Sequence, residues 1–238
     1  MKPMDTTRKL ALAGGVLYLV TFAASIPTLA LKTPLVHHAD WILGHGSDKG
    51  VILACLMDFV CGVAGIGTAV VLYPIVRRFS PTSAIGFITT RSLEAAILVV
   101  GAISLLSVVT LRNNFVGGDT ASLVTTSRSL IAQHDWSFLF GPGLMPAFNA
   151  MFLATAMYRF RLVPRAIPLM GLVGAPLLVA STLVTMFGGH SQTSPTAMLA
   201  ALPIAAWEFS LGVYLTVKGI KRPVEAVDAL VASPALAA

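Results

Sequence analysis

Long apolar runs dominate this chain and leave room for little else. A helix that crosses a bilayer needs about 20 predominantly apolar residues, and six runs meet that length. We predict spans at about 10–31, 51–76, 89–111, 136–158, 167–187 and 196–217. The expected fold is therefore all-α: a polytopic transmembrane bundle of six spans over residues 10–217, with no soluble domain.

The composition supports lipid as the main solvent of this chain. Of its 238 residues, 56% are hydrophobic and only 11% are charged, and the mean hydropathy is +0.83. Soluble domains carry about 25% charged residues. The net charge of +6 would suggest nucleic acid as a partner of a soluble protein. Here the basic residues lie at the ends of the apolar runs, so we expect the lipid bilayer as a partner and no nucleic acid.

Basic residues are divided unevenly between the two ends of the spans. The leader (1–9), the connections after the second and fourth spans, and the tail (218–238) together hold eleven Lys and Arg residues. The opposite end holds four, which are Lys32, Lys49, Arg112 and Arg128. The positive-inside rule then predicts that both termini are cytoplasmic. The tail is rich in Ala and Val, and we expect it to be mobile.

The first run has an alternative interpretation as a cleaved signal peptide. Arg8 and Lys9 precede it, and the sequence Thr28-Leu-Ala30 ends in small residues. The run is longer than the usual apolar region of a signal peptide, about 7 to 15 residues, and five more runs follow it. We therefore predict an uncleaved first span.

Two stretches near the fourth span depart from a regular pattern. Between Asn113 and Asp135 lies a polar segment in which Asp119 could cap a short helix, and we predict that this helix lies at the membrane interface or on the mouth of the bundle. The sequence Gly141-Pro142-Gly143 falls near the start of the fourth span. It predicts an irregular or kinked first half of that span. Between the first and second spans we predict a polar loop from Lys32 to Gly50.

Five polar or charged residues fall inside the apolar runs: Asp58, Arg91, Glu94, Asn149 and Glu208. A charge near the centre of a span costs about 2.5 to 3.5 kcal/mol, so such residues usually face the bundle interior, pair with one another and often mark proton or ion pathways. Asp58 lies nearer the outer side than Glu94 and Glu208, so we expect that these groups do not all touch. The alternative is structural: Arg91 pairs with Glu94 for helix packing, and the other acids are protonated or hydrogen-bonded.

All five histidines fall on the predicted outer side of the membrane: His37, His38, His45, His134 and His190. With nearby aspartates they could bind zinc or another divalent ion, and a metal with an open position could activate water. No spacing matches a motif such as His-Glu-x-x-His, and the histidines come from separate loops. We expect solvated loop histidines, no bound metal and no cofactor.

Several stretches resemble one known family. The strongest is Tyr158-Arg-Phe-Arg161-Leu-Val-Pro164-Arg-Ala-Ile167-Pro, followed by Gly171-Leu-Val-Gly174; Arg91-Ser-Leu-Glu94-Ala-Ala-Ile-Leu, Gly15-Val-Leu-Tyr18-Leu and Asp58 also fit. These are similar to the domain of unknown function 4386 family, uncharacterised bacterial multi-pass membrane proteins. The resemblance spans roughly Leu10 to Val217. It implies a location in the bacterial plasma (inner) membrane, and it implies no substrate, cofactor or catalytic residue.

Three hypotheses about function follow from these features. In the first, the interior acids and Arg91 line a hydrated cavity that moves or senses a small solute or protons. In the second, the histidines hold the metal of an enzyme at the outer face. In the third, the protein is a non-catalytic membrane component that binds a partner through its arginine-rich loop, Arg159 to Arg165. We lean toward a protein that is not an enzyme, and the sequence indicates neither the substrate nor the oligomeric state.

Overall fold

Helices make up almost all of the described chain. The computed structural model describes residues 5–38, 40–44, 46–114 and 119–221. Within these ranges the chain forms one short 3₁₀ helix (Trp41–Leu43), no strand, and seven α-helices: α1 (Thr6–His37), α2 (Asp48–Val76), α3 (Pro81–Asn114), α4 (Thr120–Phe140), α5 (Met145–Arg159), α6 (Ala166–Met186) and α7 (Pro195–Val217). The predicted all-α fold is confirmed. The predicted mobile tail lies outside the described residues from 222 onward.

Six helical segments are long and apolar enough to cross a membrane. These are α1, α2, α3, α6, α7 and the segment Thr120–Arg159, which combines α4 and α5. Large apolar side chains point outward, among them Phe59, Val63 and Leu199, each more than half exposed. Such extensive apolar surface is unfavourable in water and suits contact with acyl chains. The protein is therefore a multi-pass membrane protein, as the sequence predicts.

The helices alternate in direction, which gives the bundle two distinct ends. We call the end where α1 begins the terminal end; the connections 77–80 and 160–165 and the end of α7 also lie there. We call the other end, with the connections 38–47 and 187–194, the distal end. At the terminal end the Arg8 guanidinium donates to the carbonyls of Leu215 at 2.9 Å and Thr216 at 2.7 Å. These bonds tie the first helix to the last.

The fourth span is broken in its middle. Four residues in turn conformation, 141–144, separate α4 from α5. The Gly143 carbonyl, which a continuous helix would use internally, accepts a hydrogen bond from Thr182 Oγ1 of α6 at 2.9 Å. Both halves pack along α3, because Gly101 faces α4 and Gly86 faces Phe152 of α5. The irregularity predicted from Gly-Pro-Gly is therefore a complete interruption of the helix.

Two buried apolar clusters fill the bundle, one toward each end. The terminal cluster includes Leu72, Leu153, Met157, Leu211 and Leu215, all fully buried. The distal cluster includes Leu35, Trp41, Val51, Leu105 and Val108. In the terminal half, α1 and α7 approach closely at Gly15, where a Cβ atom would lie 2.6 Å from the Thr216 nitrogen. Only glycine permits this approach of the two backbones.

The structure differs from the predicted elements in two places. The polar segment predicted as a separate interfacial helix and the start of the fourth span at Trp136 belong to one helix, α4. The reason is that residues 120–140 contain neither Gly nor Pro, so nothing interrupts the helix before Gly141. Lys32, predicted in a polar loop, lies inside α1, which continues to His37. Asp119 caps α4 as predicted, accepting hydrogen bonds from the Ala121 and Ser122 amides.

Candidate functional site

A buried arginine gathers polar groups from three helices. Arg91 Nη1 of α3 donates to Glu94 Oε2 at 2.9 Å, and Arg91 Nη2 contacts Glu208 Oε1 of α7. Asn149 Nδ2 of α5 donates to the same Glu94 oxygen at 2.6 Å. We call Arg91, Glu94, Asn149 and Glu208 the Arg91 cluster. Its members come together from positions 91 to 208 of the chain, so tertiary packing creates the site.

Local sequence explains why Arg91 can occupy the interior. Glu94 is three residues further along the same helix, on the same face as Arg91. Gly65 of α2 faces the aliphatic stem, and a Cβ atom there would lie 3.9 Å from Arg91 Cδ, an ordinary van der Waals distance. The guanidinium also lies over the ring of Tyr18 of α1, 5.3 Å from its centroid, and 5.8 Å from that of Phe87. The aromatic faces add a favourable cation–π interaction.

The cluster lies near mid-depth in the bundle. Arg91 is ten residues from the start of α3 and Glu208 nine residues from the end of α7. At 1.5 Å per residue, both are roughly 15 Å from the terminal end, about half the thickness of a bilayer's hydrocarbon core. The Arg91 side chain is 4% exposed, Glu94 15% and Glu208 13%. The cluster is thus largely shielded from both water and acyl chains.

The charges and hydrogen bonds of the cluster do not balance. One guanidinium faces two carboxyl groups, so the cluster carries a net charge of −1 when both acids are ionised. Two buried atoms, Arg91 Nε and Asn149 Oδ1, have no hydrogen-bond partner among the described residues. Buried polar atoms are normally paired, and an unpaired one costs about 1 to 3 kcal/mol. This pattern fits a site that takes up a proton or holds water.

A second buried ion pair lies toward the distal end. Lys32 Nζ of α1 contacts Asp58 Oδ2 of α2, and both side chains are at most 7% exposed. Asp58 is therefore separate from the Arg91 cluster. Along α2, Asp58 is seven residues from Gly65, which faces Arg91, and this corresponds to about 10 Å along the helix axis. Cys61 lies between these levels, with its thiol 3.8 Å from the Thr21 carbonyl of α1.

The four histidines that the structure describes do not converge on a common site. His37 and His38 are exposed at the end of α1, and His45 lies outside the described residues. His190 contacts the hydroxyls of Thr185 at 3.0 Å and Ser181 at 3.5 Å. Among the residues that the structure describes, no group of three or more His, Cys, Asp or Glu side chains could hold a metal ion. The geometry therefore gives no support to the metal-enzyme hypothesis.

His134 departs from the expectation of a solvated loop histidine. It lies inside α4, is 7% exposed, and packs against Gly101 of α3, where a Cβ atom would be 3.5 Å from its Cδ2. Its Nδ1 atom is 3.1 Å from Asp135 Oδ1, on a side chain that is 47% exposed. The expectation was wrong because the predicted loop is part of a helix.

The arginine-rich connection at the terminal end is itself well packed. Leu162 and Val163 are fully buried, and the Leu162 carbonyl accepts a hydrogen bond from the Lys221 amide at 2.8 Å. Arg165 lies over the ring of Tyr158 at 5.1 Å from its centroid. The loop therefore locks α5, α6 and the end of α7 together, which is a structural explanation for its sequence pattern.

A family model now accounts for most of the chain. The model of the domain of unknown function DUF4386 matches residues 13–219. The chain belongs to the DUF4386 family. The match covers all of α2 to α7 and most of α1, so both buried ion clusters lie within the DUF4386 domain. No curated protein and no solved structure is similar to the chain at a significant level.

The sequence patterns did not predict that Lys32 and His134 lie inside helices and are buried. A signal for Lys32 was present, because Asp58 needed a cation and Lys32 is the basic residue nearest to the distal end of the first span. For His134, the signal was the absence of Gly and Pro from residues 120–140. A helix capped by Asp119 therefore continues through His134 to Gly141. Both residues were predicted in loops, where a charged or polar side chain is expected to be solvated and needs no interior partner.

Proposed function

We propose that this DUF4386 protein moves protons, alone or coupled to a small solute, through the membrane. The Glu94 and Glu208 carboxyl groups are the proton carriers, and Arg91 holds them together. The single observation that carries the proposal is the charge imbalance at mid-depth: two carboxyl groups share one guanidinium in a largely shielded site.

The energetics favour exchange of one proton at this site. With both acids ionised, the cluster keeps an uncompensated negative charge, and such a charge costs several kcal/mol in an apolar interior. One added proton neutralises the cluster and leaves one ion pair with Arg91. A purely structural pair needs only one acid for its arginine. The second acid adds a charge that Arg91 alone does not compensate, and Asn149 Oδ1 has no hydrogen-bond partner among the described residues.

The surroundings of the cluster suggest how access is limited. Toward the terminal end the bundle is filled by the fully buried apolar residues of the terminal cluster, and dry apolar packing is a barrier to protons. Toward the distal end polar groups continue, at Thr21, Cys61, Asp58 and Lys32. The fourth span is interrupted at residues 141–144, about one and a half turns before Asn149. Interrupted spans are common at the binding sites of transporters. These polar groups support access of protons to the cluster from the distal side.

Proton flux into liposomes tests the proposal. Purified protein is reconstituted with a pH-sensitive dye inside, and a potassium diffusion potential drives protons inward. Wild-type protein should change the internal pH faster than empty liposomes. Glu208→Gln and Glu94→Gln should each lower this flux about tenfold or more, because each removes a titrating group and general acid–base steps contribute factors of this size or larger.

Asp119→Asn is the matched control for these two variants. It makes the same carboxylate-to-amide change at a fully exposed N-cap residue, and asparagine is an equally good cap. Its flux should equal that of the wild type. Normal flux in both glutamate variants would reject the proposal, as would a wild-type flux no greater than that of empty liposomes.

We also propose that the protein resides in the bacterial plasma membrane with both termini in the cytoplasm. Support comes from the clustering of basic residues at the terminal end, where Arg77, Arg78, Arg159 and Arg165 lie. Fusions at residue 221 test it: a fluorescent protein that folds only in the cytoplasm should be bright, and a periplasmic phosphatase should be inactive. The reverse pattern would overturn the orientation.

A further inference from the structure

We propose that His134 is the proton entry residue on the distal side, passing protons between the surface carboxylate Asp135 and the buried Lys32–Asp58 pair. This inference rests on the proposed function, and it adds a second proton-handling site to the Arg91 cluster.

The first step is the position of His134 between water and the interior. Its imidazole is buried, whereas its hydrogen-bond partner Asp135 is half exposed. The next residue, Trp136, is also half exposed, and exposed tryptophans favour the boundary between lipid and water. An exposed carboxylate beside it must face water or headgroups, because exposure to acyl chains is too costly. His134 therefore lies directly beneath the membrane surface.

The second step is the connection from His134 to the buried pair. Gly101 and Ala102 of α3 lie between α4 and α2: His134 packs on Gly101, and the Cys55 thiol donates to the Ala102 carbonyl at 3.5 Å. Asp58 is one turn further along α2 from Cys55. The Lys32–Asp58 pair therefore lies within about one helical turn of the level at which α2 meets Ala102. Since Gly101 has no side chain, α4 and the His134 imidazole pack directly against the α3 backbone, next to the residue that Cys55 of α2 contacts.

The third step is the chemistry of the residues around His134. The charged groups around it are Asp135 on its own helix, which it contacts, and the Lys32–Asp58 pair of α1 and α2, one turn beyond Cys55. The facing residue of α3 is Gly101, and the connection 187–194 contributes the neutral side chain of Gln192, which bonds the Asp135 carbonyl at 2.9 Å. Imidazole gains and loses protons near neutral pH and has two nitrogens, so it can take a proton on one side and release it on the other.

The step moves a proton only and leaves no other bond changed. Asp135 collects a proton from water, and the His134 nitrogen that faces it accepts that proton. The imidazolium then releases a proton from its other nitrogen toward Asp58, and the neutral ring is restored. From Asp58 the proton continues about 10 Å along α2, past Cys61 and Thr21, to the Arg91 cluster.

Proton flux with chemical rescue tests this role in the liposome assay described above. His134→Gln, which keeps the size of the side chain, should lower the flux about tenfold. His134→Ala should lower it to a similar extent, and millimolar imidazole on the distal side should restore a large part of it. His37→Gln, which changes an exposed histidine at the same end of the bundle, should leave the flux unchanged.

The outcomes separate this inference from the proposed function. Wild-type flux that falls with Glu208→Gln but not with His134→Gln would overturn the entry role and leave the proposed function standing. Loss of flux in His134→Ala without rescue by imidazole would also overturn it, because it indicates a packing role for the ring. No flux in the wild type would overturn the proposed function, and the entry role with it.

Discussion

Replacing Arg91 by methionine should destabilise the protein more than any comparable change at its surface. Methionine keeps an unbranched apolar side chain of similar reach but removes the cation that holds Glu94 and Glu208. Two carboxyl groups then face each other without a counter-charge. Removing one partner of a buried ion pair costs about 3 to 5 kcal/mol, chiefly because the other charge stays buried and unpaired. Loss of the cation–π contact with Tyr18 adds about 0.5 to 1 kcal/mol.

Most of the lost free energy of unfolding should return when the two carboxyl groups are removed as well. The triple variant Arg91→Met/Glu94→Gln/Glu208→Gln has no charge left in the cluster, so its penalty should fall to about half that of the single variant or less. For a chain of this size, about 4 kcal/mol corresponds to a fall in Tm of roughly 8 to 16 °C. Thermal unfolding in a mild detergent, followed by the fluorescence of a thiol-reactive dye on the buried Cys55, measures both variants.

Arg128→Met is the matched control, because Arg128 is exposed on α4. Exposed substitutions of this kind usually change the free energy of unfolding by less than about 0.5 kcal/mol. The reasoning is refuted if Arg91→Met unfolds at the same temperature as Arg128→Met. It is equally refuted if the triple variant is no more stable than Arg91→Met, since the penalty would then not come from unpaired charge.

Three further predictions concern other parts of the bundle. Gly15→Ala should destabilise the protein by about 1 to 3 kcal/mol in chemical unfolding, because a methyl group there meets the α7 backbone; an unchanged midpoint would contradict this close packing. Lys32→Met should cost more than the double variant Lys32→Met/Asp58→Leu, and equal costs would show that the pair is not energetically coupled. The hydrogen bonds from the Ser122 side chain and the neighbouring amides lower the pKa of Asp119. The stability that Asp119 adds as a cap is therefore fully present above the pKa that Asp119 has in the unfolded chain, and it is lost as the pH falls through the lower pKa of the folded state. Hydrogen exchange of the amides at the start of α4 should consequently become faster in acid. Asp119→Asn should remove this pH dependence.

The sequence was sufficient to predict the membrane class, because hydropathy over 20 residues is a local property. The Arg91–Glu94 pair was equally local, since residues three apart share one face of a helix. Glu208 was named as an interior acid, but its contact with Arg91 was not predicted. α7 packs mainly on α1 and α6, and the contact between Glu208 and α3 is made through two long side chains, Glu208 and Arg91. Such a contact depends on the arrangement of the spans, which local patterns do not specify.

On the distal side, local sequence patterns predicted the ends of two helices wrongly. The polar residues of the segment before Asp135 suggested a separate helix at the interface, although its lack of Gly and Pro favours one continuous α4. Similarly, Lys32 ends an apolar run, and its charge suggested a loop. A lysine with a long aliphatic stem can stay within a helix when a carboxylate lies within reach, and Asp58 of the neighbouring helix supplies it. In both cases a polar residue was taken as the end of a span when it was part of one.

Infrared difference spectroscopy of the protein in lipid tests most directly whether the Arg91 cluster exchanges a proton. A change of pH on the distal side should alter the carbonyl band of a buried protonated carboxylic acid. That band change should disappear in both Glu94→Gln and Glu208→Gln, because the two acids share one proton beside Arg91, and it should persist in Asp119→Asn. A pH-induced carboxyl band that is unchanged in both glutamate variants, or no such band in the wild type, would contradict the account.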